Sequence, residues 1–293
     1  MRQELKEYCQ LINNTLENYL KSKEENSRLV NESMQYSIFA GGKRLRPVLL
    51  LSTYKLFKDD VTKALPFAAA IEMIHTYSLI HDDLPAMDDD DYRRGKLTNH
   101  KVFGEGIAIL AGDGLLNKAY EVLLSEIVEA TNPVVVAKAA KIIGEAAGVN
   151  GMIGGQVADI VSEDQEISAK DLDFIHAHKT GALIEASMVS GAILADAEAQ
   201  DIKRIQQVGK NLGLAFQIKD DILDIIGDEK QLGKQVGSDE ANEKSTYPKL
   251  YGLDACQKMI QELTNESNKI LDEFLPQSKF LKELNNYLMD REN

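Results

Sequence analysis

Nine aspartates in two short runs carry most of the chemistry this 293-residue chain can offer. The first run is Asp82-Asp83-Leu84-Pro85-Ala86-Met87-Asp88-Asp89-Asp90-Asp91, directly after an apolar stretch from Ala68 to Ile80. The second is Asp220-Asp221-Ile222-Leu223-Asp224, set between Phe216-Gln217-Ile218-Lys219 and Ile225-Ile226. On a helix Asp220 and Asp224 share one face, about 6 Å apart along the axis. Like charges at that spacing repel, and burial beside apolar residues adds a large desolvation cost unless a partner is supplied. A cation is the simplest partner. Cys9 and Cys256 are the only cysteines, and the five histidines form no cluster, so the available ligands are oxygens. Oxygen ligands select hard cations, and Mg²⁺ in particular binds through one or two carboxylates, its own waters and substrate phosphates.

Basic residues supply the complementary half. Gly41-Gly42-Lys43-Arg44-Leu45-Arg46-Pro47 is a basic turn opening a helix, Arg93-Arg94-Gly95 follows the first acidic run, and Lys179-Thr180-Gly181, Lys234 and Lys244 come later. A helix start carrying Lys and Arg suits a phosphate. Acid clusters beside basic groups therefore suggest diphosphates, held partly through metal and partly directly. Other readings fail on spacing. An EF-hand starting at Asp88 would need Gly where Arg93 stands and Glu where Asn99 stands. A P-loop ending at Lys43 would need Gly at Ser37 and Ser or Thr at Arg44. Ser52-Thr53-Tyr54-Lys55 with the Lys179 triplet spells a penicillin-binding signature, but that fold needs a sheet. A metal-dependent phosphohydrolase, suggested by His81-Asp82, would need further histidine ligands and would leave the second run without a role.

The elements that must position these residues are helical. Proline is scarce at six residues, tryptophan is absent, and apolar positions recur at helical spacing. The pattern predicts helices over 2–21, 27–39, 46–57, 60–83, 106–127, 132–147, 154–163, 169–197, 199–227, 254–274 and 278–290. Ser168 followed by Asp171 marks the start of the eighth as a capping box. His176 and His178 face apart on that helix and read as ordinary helix residues, and His81 as a supporting or a surface group. No strands are predicted and no break is long enough for a flexible linker, so residues 1–293 read as one all-α domain. The net charge of −14 excludes a nucleic-acid binder with a basic footprint. The absence of an apolar run of membrane-spanning length, and of an apolar signal core, predicts a cytoplasmic protein with no membrane span.

The ordered motifs resemble those of the trans-isoprenyl diphosphate synthases. His81 to Gly95 is similar to that family's first aspartate-rich motif and Phe216 to Asp224 to its second. Gly41 to Pro47, Gly154-Gly155-Gln156-Val157-Ala158-Asp159, Lys179 to Gly181 and Asp239 to Pro248 stand in the family's order. The likeness runs from about residue 36 to 250. It implies a helical bundle around a central cavity, a homodimer, and three Mg²⁺ ions held by Asp82, Asp83, Asp88 and Asp220, with Asp221 and Asp224 completing the metal set. It implies that Arg93, Lys179 and Lys234 hold an allylic diphosphate. Gly42, Lys43, Arg46, His75 and Arg94 would hold isopentenyl diphosphate, and Thr180 and Gln217 would line the reacting carbons. Asp82, Asp83, Lys179, Thr180, Gln217 and Asp220 are then the catalytic set.

The implied reaction is head-to-tail condensation of isopentenyl diphosphate with dimethylallyl or geranyl diphosphate. The four residues between Asp83 and Asp88 match bacterial fifteen-carbon and plant-type twenty-carbon synthases. Tyr77 is the fifth residue before the motif, where a bulky aromatic in related bacterial enzymes stops the product at fifteen carbons. Ser78 lies one turn below Asp82, and a ring at Tyr77 could reach across beneath it. The expected product is farnesyl diphosphate, with a geranylgeranyl or longer chain as the alternative.

Overall fold

The computed structural model describes residues 1–21, 24–162, 167–226 and 246–291, and most of these residues are helical. In chain order they are α1 (Arg2–Tyr19), α2 (Arg28–Ile38), α3 (Leu45–Tyr54), α4 (Leu65–Asp82), α5 (Asn99–Phe103), α6 (Glu105–Glu129) and α7 (Pro133–Ala147). They continue as α8 (Met152–Val161), α9 (Ala169–Ile175), α10 (Ala182–Leu194), α11 (Ala199–Ile226), α12 (Tyr247–Tyr251), α13 (Leu253–Asp272) and α14 (Lys279–Asp290). The sequence reading placed most of these within a few residues and missed the short α5 and α12.

Three departures have physical causes. The predicted helix from 60 begins at Leu65, because Asp60 accepts from the Thr62 backbone N–H at 3.0 Å and the chain makes a 3₁₀ turn first. A two-stranded antiparallel hairpin, β1 (Tyr92–Arg93) and β2 (Lys96–Leu97), appears where no strand was expected. Its turn residues Arg94 and Gly95 have φ of 55° and 75°, the left-handed pair a tight hairpin requires. The predicted helix 169–197 starts with its capping box in place, Ser168 and Asp171 each accepting from the other's backbone N–H. It is then interrupted by a π turn over His176–Gly181, which joins α9 to α10.

The central helices are apolar around most of their circumference, as expected of helices covered on every side. In α4, Phe67 to Ile74 are buried without a break. That run includes Glu72, at 1% exposed. Its partner is Arg44, at φ 51° just before α3, whose Nη1 donates to Glu72 Oε1 at 2.7 Å and whose Nε donates to Asn13 Oδ1 at 3.0 Å. Arg44 therefore ties the basic turn to α4 and α1, and is spent on the fold. Around this core α4 packs on α6, α3 on α10, α10 on α7 and α11, and α11 on α13.

Candidate active site

The first aspartate run leaves the end of α4 and turns back on itself. Asp83 is buried and accepts from Arg93 Nε at 2.9 Å, and Asp90 accepts from Arg93 Nη2 at 3.1 Å, so the hairpin is stapled to the motif it follows. Burial pushes the Asp83 carboxyl up to about 6 despite that partner. Burial also raises Asp82, with Asp88 and Asp159 adding to the effect and Lys179 and Arg93 opposing it. Asp88 itself lies exposed at the rim.

Helix α8 brackets this end of the site. Gln156 donates through Nε2 to Asp82, and Lys179 Nζ donates to Asp159 Oδ2 at 2.6 Å. Burial works against the Lys179 charge, but Asp82 and Asp159 outweigh it and its pKa is raised. Gly155 makes the bracket possible: a Cβ there would stand 2.1 Å from the Lys179 backbone nitrogen. The π turn in turn presents Lys179 and Thr180 together. Gln156 and Asp159 were named in the sequence only as letters of an ordered motif; their spacing of three, one helical turn, was the signal that they act together.

A second group of cations gathers around the basic turn, and two of them, Lys43 and Arg46, lie within reach of Asp220. Arg94 donates to the Gly41 carbonyl, and its guanidinium lies so close over Gly42, φ 120°, that a Cβ would meet it at 2.6 Å. Arg46 Nη1 stands 3.2 Å from His75 Nε2, and Arg46 Nε is buried without a hydrogen-bond partner among the described residues. Burial lowers Arg46 to about 10, with Arg94 adding and with Glu72 and Asp220 opposing. Burial, then Arg46 and Arg94, hold His75 well below the ordinary imidazole range. Lys43 is likewise lowered by burial and by Arg291, against Asp220. The five isopentenyl candidates Gly42, Lys43, Arg46, His75 and Arg94 are thus neighbours.

In α11 the three aspartates have different surroundings. Asp220 is half-buried and accepts from Arg291, whose guanidinium also stacks 4.1 Å from the Phe216 ring centroid. Asp221 is buried: it accepts from Gln217 Nε2 at 3.1 Å and from the Tyr247 backbone N–H at 3.0 Å, and stands 4.0 Å from His176 Nε2. Asp224 is buried as well. His176 is therefore no ordinary helix residue. It is buried against Tyr247, and burial lowers it to about 4. Arg291 beside Asp220 was not foreseen, because no local pattern near the carboxy terminus points to α11. Lys234 lies outside the described residues.

The residues fit Mg²⁺ in type, all of the candidate ligands being carboxylates. Among the described residues no three such groups converge into a closed cage. Beneath Asp82, Ser78 Oγ donates back to the His75 carbonyl at 2.8 Å, and Tyr77 is 6% exposed with its hydroxyl buried.

A helical bundle that brings two aspartate runs and several buried cations to one end of α4 and α11 has the make-up of an enzyme acting on anionic substrates. Residues 27–277 match the polyprenyl synthetase family model. The chain is 50% identical over 264 residues to a dimethylallyltranstransferase of Fischerella ambigua, covering 89% of this chain and 75% of that protein. It is 47% identical over 260 residues to the farnesyl diphosphate synthase of Geobacillus stearothermophilus (89% and 87% covered). It is 45% identical over 269 residues to the chloroplastic geranylgeranyl pyrophosphate synthase of Catharanthus roseus (90% and 74% covered). The crystal structure of an FPP/GFPP synthase from Zymomonas mobilis superposes with a TM-score of 0.88 at 34% identity, covering 98% of both chains. The chain belongs to the polyprenyl synthetase family, a family of prenyltransferases.

Proposed function

We propose that this chain condenses isopentenyl diphosphate with dimethylallyl diphosphate, then with geranyl diphosphate, to give farnesyl diphosphate. The observation that carries the reading is the pair of cation groups: Lys179 and Arg93 beside Asp82 and Asp83, and Lys43 and Arg46 in reach of Asp220, with Arg94 close to Arg46. Each group suits one diphosphate. At the first, the allylic C1–O bond breaks and its electron pair leaves with the diphosphate. Mg²⁺, bound by Asp82, Asp83, Asp88 and Asp220 with Asp221 and Asp224 behind them, would supply positive charge to that leaving group. Three ions per site are proposed. Lys179, kept charged by Asp82 and Asp159, adds a fixed positive charge there.

At the second group, Arg46 and Arg94 anchor isopentenyl diphosphate so that its double bond attacks the allylic C1, and the departed diphosphate takes the proton that is lost. Gln217, fixed by Asp221, and Thr180 line the reacting carbons. His75, hemmed in by arginines, stays neutral and positions Arg46. Lys234 is assigned to the allylic diphosphate by its motif alone.

The fifteen-carbon product rests on Tyr77 as the floor of the chamber. Relatives named for twenty-carbon products make geranylgeranyl diphosphate the second reading. No helix among the described residues is long and apolar enough to cross a membrane. A cytoplasmic enzyme of one domain over residues 1–293 is part of the proposal. A homodimer is supported by Leu124, Val128 and Val134 exposed beside an apolar groove of about 510 Å³ between α6 and α7. A mass near twice 32.5 kDa in sedimentation would bear it out.

The test is turnover of labelled isopentenyl diphosphate with either allylic primer, with and without Mg²⁺, and chromatography of the dephosphorylated products. Mg²⁺-dependent farnesol is expected, lost in Asp82→Ala and Asp220→Ala variants that keep their helical content. A longer alcohol would keep the reaction and move the floor; no condensation by a folded chain would refute the reading.

A further inference from the structure

His81 has no role in the chemistry above, yet its side chain is held on two sides. It sits one turn above Tyr77 on α4, and the two rings meet edge to face with centroids 5.8 Å apart and planes at 77°. On its other side His81 Nε2 stands 3.1 Å from the Ile109 carbonyl of α6, and 3.9 Å from the Asp113 carboxylate. The ring rests directly on Gly112. A Cβ there would lie 2.1 Å from Nε2 and 2.5 Å from Cδ2, closer than any side chain permits. Tyr77 has no comparable polar anchor: its hydroxyl is buried with no hydrogen-bond partner among the described residues. The Tyr77 ring is therefore oriented by packing, and His81 is the ring packed against it.

We propose that His81, seated on Gly112, is a specificity-determining residue that pins the Tyr77 ring in place and so sets where chain growth stops. The proposal rests on the reading of Tyr77 as the floor. Without the pin, Tyr77 is free to rotate away, and the chamber opens past fifteen carbons. Gly112 matters only through what it admits. An alanine there drives the His81 ring out toward solvent, which a ring already partly exposed can do without moving either helix backbone.

The experiment compares product ratios, twenty carbons to fifteen, for the full chain and for His81→Ala, His81→Phe, Gly112→Ala, Tyr77→Ala and His81→Ala/Tyr77→Ala. A ratio is read from whatever turnover remains, so a slower variant still reports. His81→Ala and Gly112→Ala should each raise the ratio roughly two- to tenfold, the factor one edge-to-face ring pair is worth. His81→Phe, which keeps a ring against Tyr77, should stay nearer the parent. In the Tyr77→Ala background His81→Ala should add nothing. A longer product from Tyr77→Ala with parental ratios from His81→Ala and Gly112→Ala would overturn the pin and leave the floor. An effect of His81→Ala that persists without Tyr77 would overturn it too. An unchanged product from Tyr77→Ala would overturn the floor itself, and the pin with it.

Discussion

Gly155→Ala is the perturbation that most directly tests how this site is assembled. The added methyl would stand 2.1 Å from the Lys179 nitrogen, and 2.7 Å from both the His178 carbonyl carbon and the Lys179 Cα. All three are backbone atoms, so nothing can rotate aside. Restoring an ordinary close contact of 3.4 Å requires the seam between α8 and the π turn to open by roughly 1.3 Å. Gln156 and Asp159 travel with α8. The 2.6 Å contact of Asp159 with Lys179 then stretches beyond hydrogen-bond reach, and the Gln156 amide withdraws from Asp82. Overpacking of this kind costs about 1–3 kcal/mol, which leaves most chains folded. A displacement near 1 Å in groups that position a reaction costs on the order of 100-fold in rate.

The internal control is Gly213→Ala on the opposite side of the same turn, where the new methyl would meet the Gly181 Cα at 3.0 Å and needs only a few tenths of an ångström. Initial rates at saturating isopentenyl and geranyl diphosphate, with thermal melting by circular dichroism, should show Gly155→Ala folded and about 100-fold slower. Gly213→Ala should remain close to the parent. A Gly155→Ala enzyme at near-parental rate, or no slower than Gly213→Ala, would refute the bracket as an element of the active site.

Three further outcomes follow from the contacts described. Arg94→Ala should raise KM for isopentenyl diphosphate by about 10- to 100-fold, the worth of one charged hydrogen bond, and leave KM for the allylic substrate nearly unchanged; the reverse would exchange the two diphosphate sites. Arg44→Met leaves Glu72 buried and unpaired and should cost about 3–5 kcal/mol in urea unfolding. Arg44→Met/Glu72→Leu should recover much of that loss, and a double variant as unstable as the single would refute the pairing argument. Two buried groups should oppose each other as pH changes. Between 3.8 and about 6 the folded chain keeps a proton on Asp83 that the unfolded chain has lost, so this group's contribution falls as pH rises. Between about 4 and 6.5 the unfolded chain binds a proton that His176 refuses when folded, so that contribution rises with pH. Relative to the parent, Asp83→Asn should make stability climb more steeply from pH 4 to 6, and His176→Asn less steeply, each by at most about 1.4 kcal/mol per pH unit. Slope changes of the same sign would contradict one of the two assignments, and both signs reversed would contradict both.

The helices and the two aspartate runs were legible because both are local patterns: apolar residues at helical spacing, and carboxylates too dense to leave unpartnered. What was not legible depends on distant residues. Arg44 reads like its neighbours Lys43 and Arg46, and only the fold places Glu72, far along the chain on α4, against it. The π turn escaped because apolar periodicity over 169–197 cannot register a single extra residue in one turn. His176 looked ordinary for the same reason: what makes it special is Asp221 and Tyr247, brought in from α11 and α12. The hairpin at Tyr92 to Leu97 is two residues per strand, too short for alternation to appear. Gln156 and Asp159 stood in a recognised motif, but their partners Asp82 and Lys179 lie on other elements.

The π turn at His176–Gly181 also bears on how such an enzyme can be lost. Removing one residue from it, Ala177 for instance, would let the chain from Ala169 to Leu194 run as a single regular helix with better hydrogen-bond geometry. The helices on either side would keep their phase, because the residue lost is the extra one, and only the side chains within the turn would be re-aimed. Lys179 and Thr180 could no longer be presented to the site while Leu172 and Ile175 stay in the core. A one-codon deletion would thus mend the helix and silence the protein. Selection for stability alone would favour that change, and only the need for a working site opposes it.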